Sequence, residues 1–151
     1  IIMAKYKFFQ AGEKELDQLY ELGKQFRQEF RKIFPQVDED KAYKILDLLF
    51  SKGKIICCCI EGQDEIVGSI GFFKSQYWWA ERYMYNVQWF YVKPEHRNIL
   101  VFRNLLDGVK KIAKDGDIFL QIITEMKLDP LFKKFGFTEM GKNWIYKCVT
   151  L

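Results

Sequence analysis

The stretch from Gln88 to Phe102 constrains the fold more than any other part of this sequence. An aromatic strand pattern, Gln88-Trp89-Phe90-Tyr91-Val92, runs through Lys93-Pro94-Glu95-His96-Arg97 directly into the start of an amphipathic helix. The first turn of a helix has backbone N–H groups without intrahelical partners, and the helix dipole adds about half a positive charge there. A strand, a tight turn and a helix N-terminus in this order therefore predict an anion site that suits a phosphate group.

Hydrophobic periodicity and turn signals extend the pattern along the chain. We predict strands at residues 5–9, 55–60, 66–73, 83–93 and 117–123, with a last strand or strands from Phe137 and Trp144 to Val149. We predict helices from Glu13 to Ile33 or Phe34, ended by Pro35; from the N-cap Asp38 to Gly53; from Asn98 to Lys114; and from Leu128 to Phe135. The order βααβββαβαβ predicts an α/β (α+β) fold of three layers, with a mixed central sheet of six to seven strands and helices on both faces.

Within that order, two connections fix the direction of neighbouring strands. The strands at 55–60 and 66–73 are joined by a turn-rich segment, which indicates an antiparallel hairpin. The strands at 83–93 and 117–123 are joined by a crossover helix, which indicates that they lie parallel.

Composition sets the class of protein. With 151 residues and 49% hydrophobic content, the chain is expected to form one domain over residues 1–151. The 24 basic and 20 acidic residues are interspersed, so the net charge of +4 gives no indication of nucleic-acid binding. No apolar run approaches the roughly 20 residues that span a bilayer, and the N-terminus lacks the layout of a secretory signal. We therefore expect no membrane association and a cytoplasmic location.

Three of the four cysteines are consecutive, Cys57-Cys58-Cys59, within an apolar run that is typical of a buried strand. Neighbouring side chains on a strand point to opposite faces, which disfavours a disulfide between them. A metal site would need better spacing and more than one histidine. We predict that these thiols are reduced, small buried hydrophobes, and we expect no metal.

Two segments resemble motifs of the GCN5-related N-acetyltransferases, the GNAT superfamily, whose element order is also the one predicted here. Pro94 to Phe102 falls in register with the family's central turn, which reads Arg or Gln, two residues, Gly, one residue, then Gly or Ala. Leu131 to Phe137 resembles the family's Phe-Tyr-x-Lys-x-Gly-Phe segment. At the two glycine positions of the central turn this sequence has Leu100 and Phe102.

The resemblance implies acetyl-CoA as the acyl donor, with its diphosphate on the central turn and its pantetheine paired like an added strand where the fourth and fifth strands splay apart at a bulge. Main-chain N–H groups would still hold the diphosphate if Leu100 and Phe102 turn toward the sheet, and Phe102 fits the apolar stripe of the helix. Arg97 and Arg103 either bond to phosphate or are solvated surface charges. The implied cofactor-binding residues are Phe90, Val92, Arg97, Asn98, Ile99, Leu100, Val101, Phe102, Arg103 and Phe132.

The resemblance also implies which residues face the reaction. The family's glutamate base aligns with Asn86 and its tyrosine acid aligns with Phe132, and neither side chain can take that role. Asn86 and Gln88, predicted as the next residue on the same face, either orient a water or the acceptor or have a structural polar role. Tyr91 or Tyr146 either replaces the missing acid, as we predict for Tyr91, or is an ordinary sheet aromatic.

The acceptor is expected to be an amine-bearing small molecule or protein. Residues 34–40 include three carboxylates, which either attract a cationic amine or cap and stabilise the next helix. We expect Trp78 and Trp79 to line either an acceptor pocket or a subunit interface. The protein is expected to be a monomer or a homodimer. His96, the only histidine, is expected to be exposed and not to act as the base.

Three interpretations of function remain open. The first is an N-acetyltransferase that works by direct transfer in a ternary complex without a covalent enzyme intermediate. The second is a GNAT-fold protein that has lost catalysis and serves as a binding or structural module. The third is a single-stranded nucleic-acid binder that uses its Tyr and Trp residues, although acidic residues interrupt every basic cluster.

Overall fold

The secondary structure follows the predicted order. The computed structural model describes residues 5–30, 38–121, 127–142, 144 and 146. The strands are β1 (Tyr6–Gln10), β2 (Gly53–Ile60), β3 (Ile66–Gln76), β4 (Tyr83–Val92) and β5 (Gly116–Leu120). The helices are α1 (Leu16–Glu29), α2 (Glu39–Lys52), α3 (Ile99–Ile112) and α4 (Asp129–Lys134), with short 3-10 turns at Glu13–Glu15 and Pro94–His96.

The five strands of the described residues form one mixed sheet in the order β1-β2-β3-β4-β5. The first four pair antiparallel, and β5 pairs parallel with β4, so the predicted hairpin and the predicted parallel crossover are both confirmed. Five strands are fewer than the six to seven that we predicted. The predicted last strand, from Trp144 to Val149, lies largely outside the described residues.

Both faces of the sheet are covered, which confirms the three-layer fold. One face, here called the α3 face, packs its alternate strand residues against the apolar stripe of α3, formed by Val101, Phe102, Leu105, Leu106, Val109 and Ala113. The opposite face, here called the α1–α2 face, packs against Leu19 and Leu22 of α1 and Leu46 and Leu49 of α2. Apolar residues recur about every 3.6 residues in these helices and every second residue in the strands. Each helix therefore presents one apolar face to one apolar face of the sheet.

The cysteines of β2 are free and buried, as predicted. Cys58 faces the α3 core and Cys57 the α1–α2 core. Burial raises the pKa of the Cys58 thiol to about 12, so that it stays protonated at neutral pH. These side chains therefore pack as small hydrophobes.

Two helix boundaries bear on the site. Asp38 caps α2 as predicted, because its Oδ1 accepts a hydrogen bond from the Lys41 N–H at 3.1 Å. The first helix was predicted to reach Ile33 or Phe34, whereas α1 ends at Glu29 with Phe30 as its C-cap. Residues 31–37, including Pro35, lie outside the described residues.

Candidate active site

A β-bulge interrupts β4 in the middle of its pairing with β3. Phe72 lies opposite Val87 and Gly71 lies opposite Trp89, so Gln88 is the extra residue on β4. A bulge reverses the alternation of side chains beyond it. Beyond the bulge, Trp89 is on the face of Asn86 and packs against the α1–α2 core, whereas the assignment of Gln88 to that face stays a prediction.

The pairing of β4 with β5 stops next to this bulge. The parallel ladder runs from Tyr83 opposite Gly116 to Val87 opposite Leu120. From Gln88 to Val92, the β5 side of β4 has no strand partner among the described residues. That length of strand can accept an extended ligand by main-chain pairing, and its second half carries Phe90, Tyr91 and Val92.

Immediately after β4, the chain turns into α3 over residues 93–98. Asn98 is the N-cap of α3, and its Oδ1 accepts from the Val101 N–H at 3.0 Å while its carbonyl accepts from the Phe102 N–H at 3.3 Å. The N–H groups of Ile99 and Leu100 have no acceptor among the described residues. Of the predicted main-chain donors on α3, two are therefore satisfied within the protein and two are free for an anion.

The side chains of the first turn of α3 divide between core and solvent. Val101 and Phe102 are buried, and the Phe102 ring lies edge-on to Phe90 with 5.3 Å between ring centroids. Phe102 thus points away from the free N–H groups, as predicted. Leu100 does not turn into the core, since 49% of its surface is exposed, and Ile99 is exposed to a similar extent.

The two arginines of this region differ in their contacts. The Arg97 guanidinium donates from Nη2 to Glu29 Oε2 at 2.6 Å and from Nε to the Val92 carbonyl at 2.8 Å. Arg103 is exposed and lies 3.9 Å from Asp107, one turn along α3. Arg97 is therefore committed to protein acceptors, whereas Arg103 remains on the surface close to the start of the helix.

Tyr91 is drawn into the same contacts as Arg97. It is buried on the α1–α2 face, and its hydroxyl donates to Glu29 Oε2 at 2.8 Å. Burial, followed by the bond to the Glu29 carboxylate, raises the pKa of the Tyr91 hydroxyl well above its ordinary value. The hydroxyl proton that we predicted for transfer to a leaving group thus stays on Tyr91, in a hydrogen bond to the Glu29 carboxylate.

Asn86 and Gln88 lie on either side of the point where the β4–β5 ladder stops. Asn86 donates from Nδ2 to Ser75 Oγ at 3.0 Å, and the exposed Gln88 donates from Nε2 to the Asn86 carbonyl at 3.3 Å. Both are neutral hydrogen-bonding groups, which can orient a polar ligand but cannot take a proton from an ammonium ion.

Phe132 of α4 belongs to a group of rings on the α3 face. Its centroid lies 6.4 Å from that of Phe90 and 6.1 Å from that of Phe137. The helix ends at Gly136 with φ +89°, and the Phe137 N–H donates to the Phe132 carbonyl at 2.9 Å. This is the αL ending that the glycine predicted, and it directs Phe137 back onto the ring of Phe132.

The other predicted positions are also described. Trp78 and Trp79 are 89% and 66% exposed, at the end of the sheet where β4 begins. His96 Nδ1 lies 3.0 Å from the Tyr6 hydroxyl on β1, so the histidine has a partner in the fold. Tyr146 is exposed, and its neighbours in the chain lie outside the described residues.

Sequence reasoning missed two features of the site. Glu29, at the end of α1, belongs to no recognised motif. The sequence marks it only as an acidic residue on a helix whose other face is apolar. Trp89 was assigned only to a strand, yet its indole Nε1 donates to the buried Ser69 hydroxyl at 2.7 Å and its ring crosses Gly71.

Two features are absent from the described residues. No group of three or more His, Cys, Asp or Glu side chains in them is arranged to hold a metal ion. None of the helices in those ranges is both long and apolar enough to cross a bilayer.

Comparison with known proteins gives the following matches. A family model described as the acetyltransferase (GNAT) family matches residues 20–137. A comparison with curated proteins gave no match.

Among solved structures, a crystal structure described as that of a probable acetyltransferase has a TM-score of 0.78 at 18% identity, over 96% of this chain and 99% of that one. An aminoglycoside N-acetyltransferase in complex with CoA has a TM-score of 0.75 at 13% identity, over 97% of each chain. An aminoglycoside acetyltransferase from an uncultured soil metagenomic sample, in complex with sisomicin, has a TM-score of 0.69 at 15% identity, over 97% of this chain and 96% of that one. At these identities the similarity is one of fold.

Proposed function

This chain belongs to the GNAT acetyltransferase family, and on that basis we propose that it transfers an acetyl group from acetyl-CoA to an amine by direct attack in a ternary complex. The observation that carries the proposal is the β4–β5 ladder, which in the described part of the chain stops at Val87 next to the bulge, so that the second half of β4 has no described strand partner beside the N-terminus of α3. This arrangement offers an extended ligand a strand edge and, at the end of that edge, donors for an anion.

The residues present fit coenzyme A at both ends of this path. The free N–H groups of Ile99 and Leu100, together with the dipole of α3, would hold the diphosphate. The open edge of β4 would pair with the amides of pantetheine, and Phe90 and Phe132 would give the arm an apolar side. The half-exposed Leu100 stands where a glycine would leave more room, so we expect a weaker grip than a glycine-containing turn would give.

Acetyl transfer requires three things of this site: a neutral amine, donors for the oxyanion and a thiol that can leave. Main-chain N–H groups after the bulge would stabilise the oxyanion. Neither Asn86 nor Gln88 can act as a base, so the amine must reach the site deprotonated or lose its proton to water. A thiol of pKa about 8.5 leaves with little assistance near neutral pH, which makes the absence of a tyrosine at Phe132 tolerable.

For the acceptor we propose a small molecule that carries an amine. Two neighbours of similar fold are aminoglycoside acetyltransferases, one of them in complex with sisomicin. In this chain, the α1–α2 face of β4 around Asn86 and Trp89 is the side from which such an amine would approach the open strand edge.

A thermal-shift titration with acetyl-CoA tests the proposal. At about 100 times the dissociation constant, the ligand should add roughly 2.7 kcal/mol to the free energy of unfolding. Asn98→Asp supplies a site-directed comparison: aspartate caps a helix as well as asparagine does, so the free protein should keep its stability. Its carboxylate would repel the diphosphate and weaken binding about tenfold.

The matched control is Gln76→Glu, which adds the same charge at the far end of β3 and should leave the affinity unchanged. If millimolar acetyl-CoA failed to stabilise the wild-type protein, the transferase proposal would be abandoned.

One alternative function has specific support: a GNAT-fold binding protein that has lost catalysis. It is favoured by Asn86 and Phe132 standing at the positions that the resemblance gives to a base and an acid. Release of free coenzyme A thiol over a panel of amines separates the two functions. Binding of acetyl-CoA without thiol release from any amine would support the binding protein over the enzyme.

A further inference from the structure

A three-residue cluster joins the end of α1 to the turn between β4 and α3. Glu29 Oε2 accepts from both the Tyr91 hydroxyl, at 2.8 Å, and Arg97 Nη2, at 2.6 Å. The Arg97 guanidinium also lies over the Tyr91 ring, with 5.4 Å between its central carbon and the ring centroid. We refer to Glu29, Tyr91 and Arg97 as the turn clamp.

Within the clamp, Arg97 links the end of the turn back to its beginning. Arg97 Nε donates to the carbonyl of Val92, the last residue of β4, at 2.8 Å. One side chain therefore bridges the five-residue reversal that separates the end of the strand from the N-cap Asn98. Since the guanidinium is planar, fixing Nη2 on Glu29 also fixes the direction in which Nε points.

The ion pair is partly shielded from solvent. The Arg97 and Glu29 side chains are 17% and 27% exposed, unlike the more exposed pairs elsewhere on the molecule. The hydrogen bond from Arg97, with a smaller contribution from Tyr91, holds the pKa of Glu29 below its ordinary value, so the carboxylate is ionised at neutral pH. Charge-assisted bonds of this kind are about twice as strong as neutral ones.

We propose that Glu29 is a positioning residue for the anion-binding turn: through Arg97 it holds the Val92 carbonyl and so sets where the free N–H groups of Ile99 and Leu100 point. Arg97 then acts from behind the turn instead of contacting phosphate itself. The part of this inference that concerns coenzyme A rests on the proposed function, whereas the ordering of the turn does not.

Hydrogen exchange in the free protein tests the ordering. The amides of His96, Arg97 and Asn98 donate within the turn. In Glu29→Gln, whose amide oxygen can still accept from Arg97 but carries no negative charge, these amides should exchange about tenfold faster than in the wild type. Glu21→Gln is the matched control, because Glu21 lies on the same helix and pairs with Lys24 at the surface. Unchanged exchange in Glu29→Gln would overturn the inference, whether or not the protein binds coenzyme A.

Calorimetric titration with coenzyme A tests the consequence. We expect Glu29→Gln to raise Kd about tenfold and Glu29→Asp, which keeps the charge on a shorter stem, to recover part of the loss. In an Arg97→Gln background, Glu29→Gln should cost no further affinity, because the link to the turn is already broken. A Glu29→Gln protein that melts earlier but binds coenzyme A as tightly as the wild type would show a purely structural role and overturn the inference.

The outcomes remain distinguishable in two further cases. If Glu29→Gln does not fold, Tyr91→Phe can replace it, because it removes one hydrogen bond to Glu29 while keeping the ring under Arg97. This variant should raise Kd about twofold to threefold. If neither Kd nor the exchange rates of the turn amides changed, the result would count against the clamp. If the wild-type protein binds no coenzyme A, the proposed function fails, and the exchange experiment still decides whether Glu29 orders the turn.

Discussion

At the scale of single residues, Phe132 bears on the proposed acetyl transfer because its ring has no hydroxyl. The family resemblance places a tyrosine at this position, and the Phe132 ring packs between those of Phe90 and Phe137 on the α3 face. Since the ring is only half-buried, a hydroxyl on it has access to polar surroundings.

We expect Phe132→Tyr to raise kcat about tenfold at neutral pH with little change in KM for acetyl-CoA. The gain should be smaller than the factor of roughly 10²–10⁴ typical of general acids, because a thiolate leaves readily. Steady-state release of coenzyme A thiol measures it. Phe137→Tyr, which adds the same hydroxyl to a neighbouring ring of the group, is the control and should leave kcat unchanged. An equal rise in both variants would contradict a specific role for position 132.

At the scale of elements, the bulge in β4 lies next to a close contact across the sheet. A Cβ on Gly71 would lie 2.5–2.7 Å from atoms of the Trp89 indole, which is held in place by its hydrogen bond to Ser69. Such a separation is too short for two carbon atoms, so a side chain at position 71 must displace the indole. The absence of a side chain at Gly71 thus leaves room for the Trp89 indole beside the bulge.

Gly71→Ala should therefore destabilise the protein by about 1–3 kcal/mol, measured by urea unfolding. Gly23→Ala is the matched control: position 23 lies within α1, a Cβ there would meet no atom within 4 Å, and alanine should stabilise the helix by about 0.5–1 kcal/mol. If Gly71→Ala were as stable as the wild type, the indole would not be pinned as described.

At the scale of the whole molecule, ionised carboxylates tie distant parts of the chain together. The pKa values of Glu29, Glu65, Asp115 and Asp117 all lie below their ordinary values, in each case chiefly because a side chain donates a hydrogen bond to the carboxylate. Glu29 joins α1 to the turn after β4, and Asp117 joins β5 to Arg82 ahead of β4. A carboxyl group with a lowered pKa in the folded state favours folding at any pH above its unfolded pKa.

The free energy of unfolding should therefore be constant near neutral pH and fall as the pH drops below about 4.5, through the lowered pKa values of these groups. Urea unfolding between pH 7 and pH 3 measures this dependence. Glu29→Gln should be less stable than the wild type at pH 7 and should lose less free energy on acidification. A Glu29→Gln profile parallel to that of the wild type across this range would show that Glu29 contributes nothing to acid sensitivity.

Local sequence was sufficient for the order of the elements and for part of the site. The spacing of apolar residues at three- and four-residue steps predicted α1, α2 and α3. The aromatic strand before Pro94 predicted the strand and turn that lead to the two free N–H groups. The same spacing predicted that Phe102 would turn into the core, and Gly136 predicted the end of α4. These features depend on residues a few positions apart, whose geometry is set by the backbone periods and by capping.

The rest of the site depended on contacts between distant parts of the chain. Gln88 is the extra residue next to Trp89, whose indole lies against Gly71 on the neighbouring strand, and Arg97 is held by Glu29, 68 positions earlier. The Asn98 side chain accepts a hydrogen bond from the Val101 N–H, which the helix would otherwise offer to a ligand. By itself the sequence determined the order of the described elements and predicted a helix N-terminus directly after β4. The tertiary structure alone decided which donors of that turn lack an acceptor, and where β4 lacks a strand partner, within the described residues, because both depend on packing between residues that no local period relates.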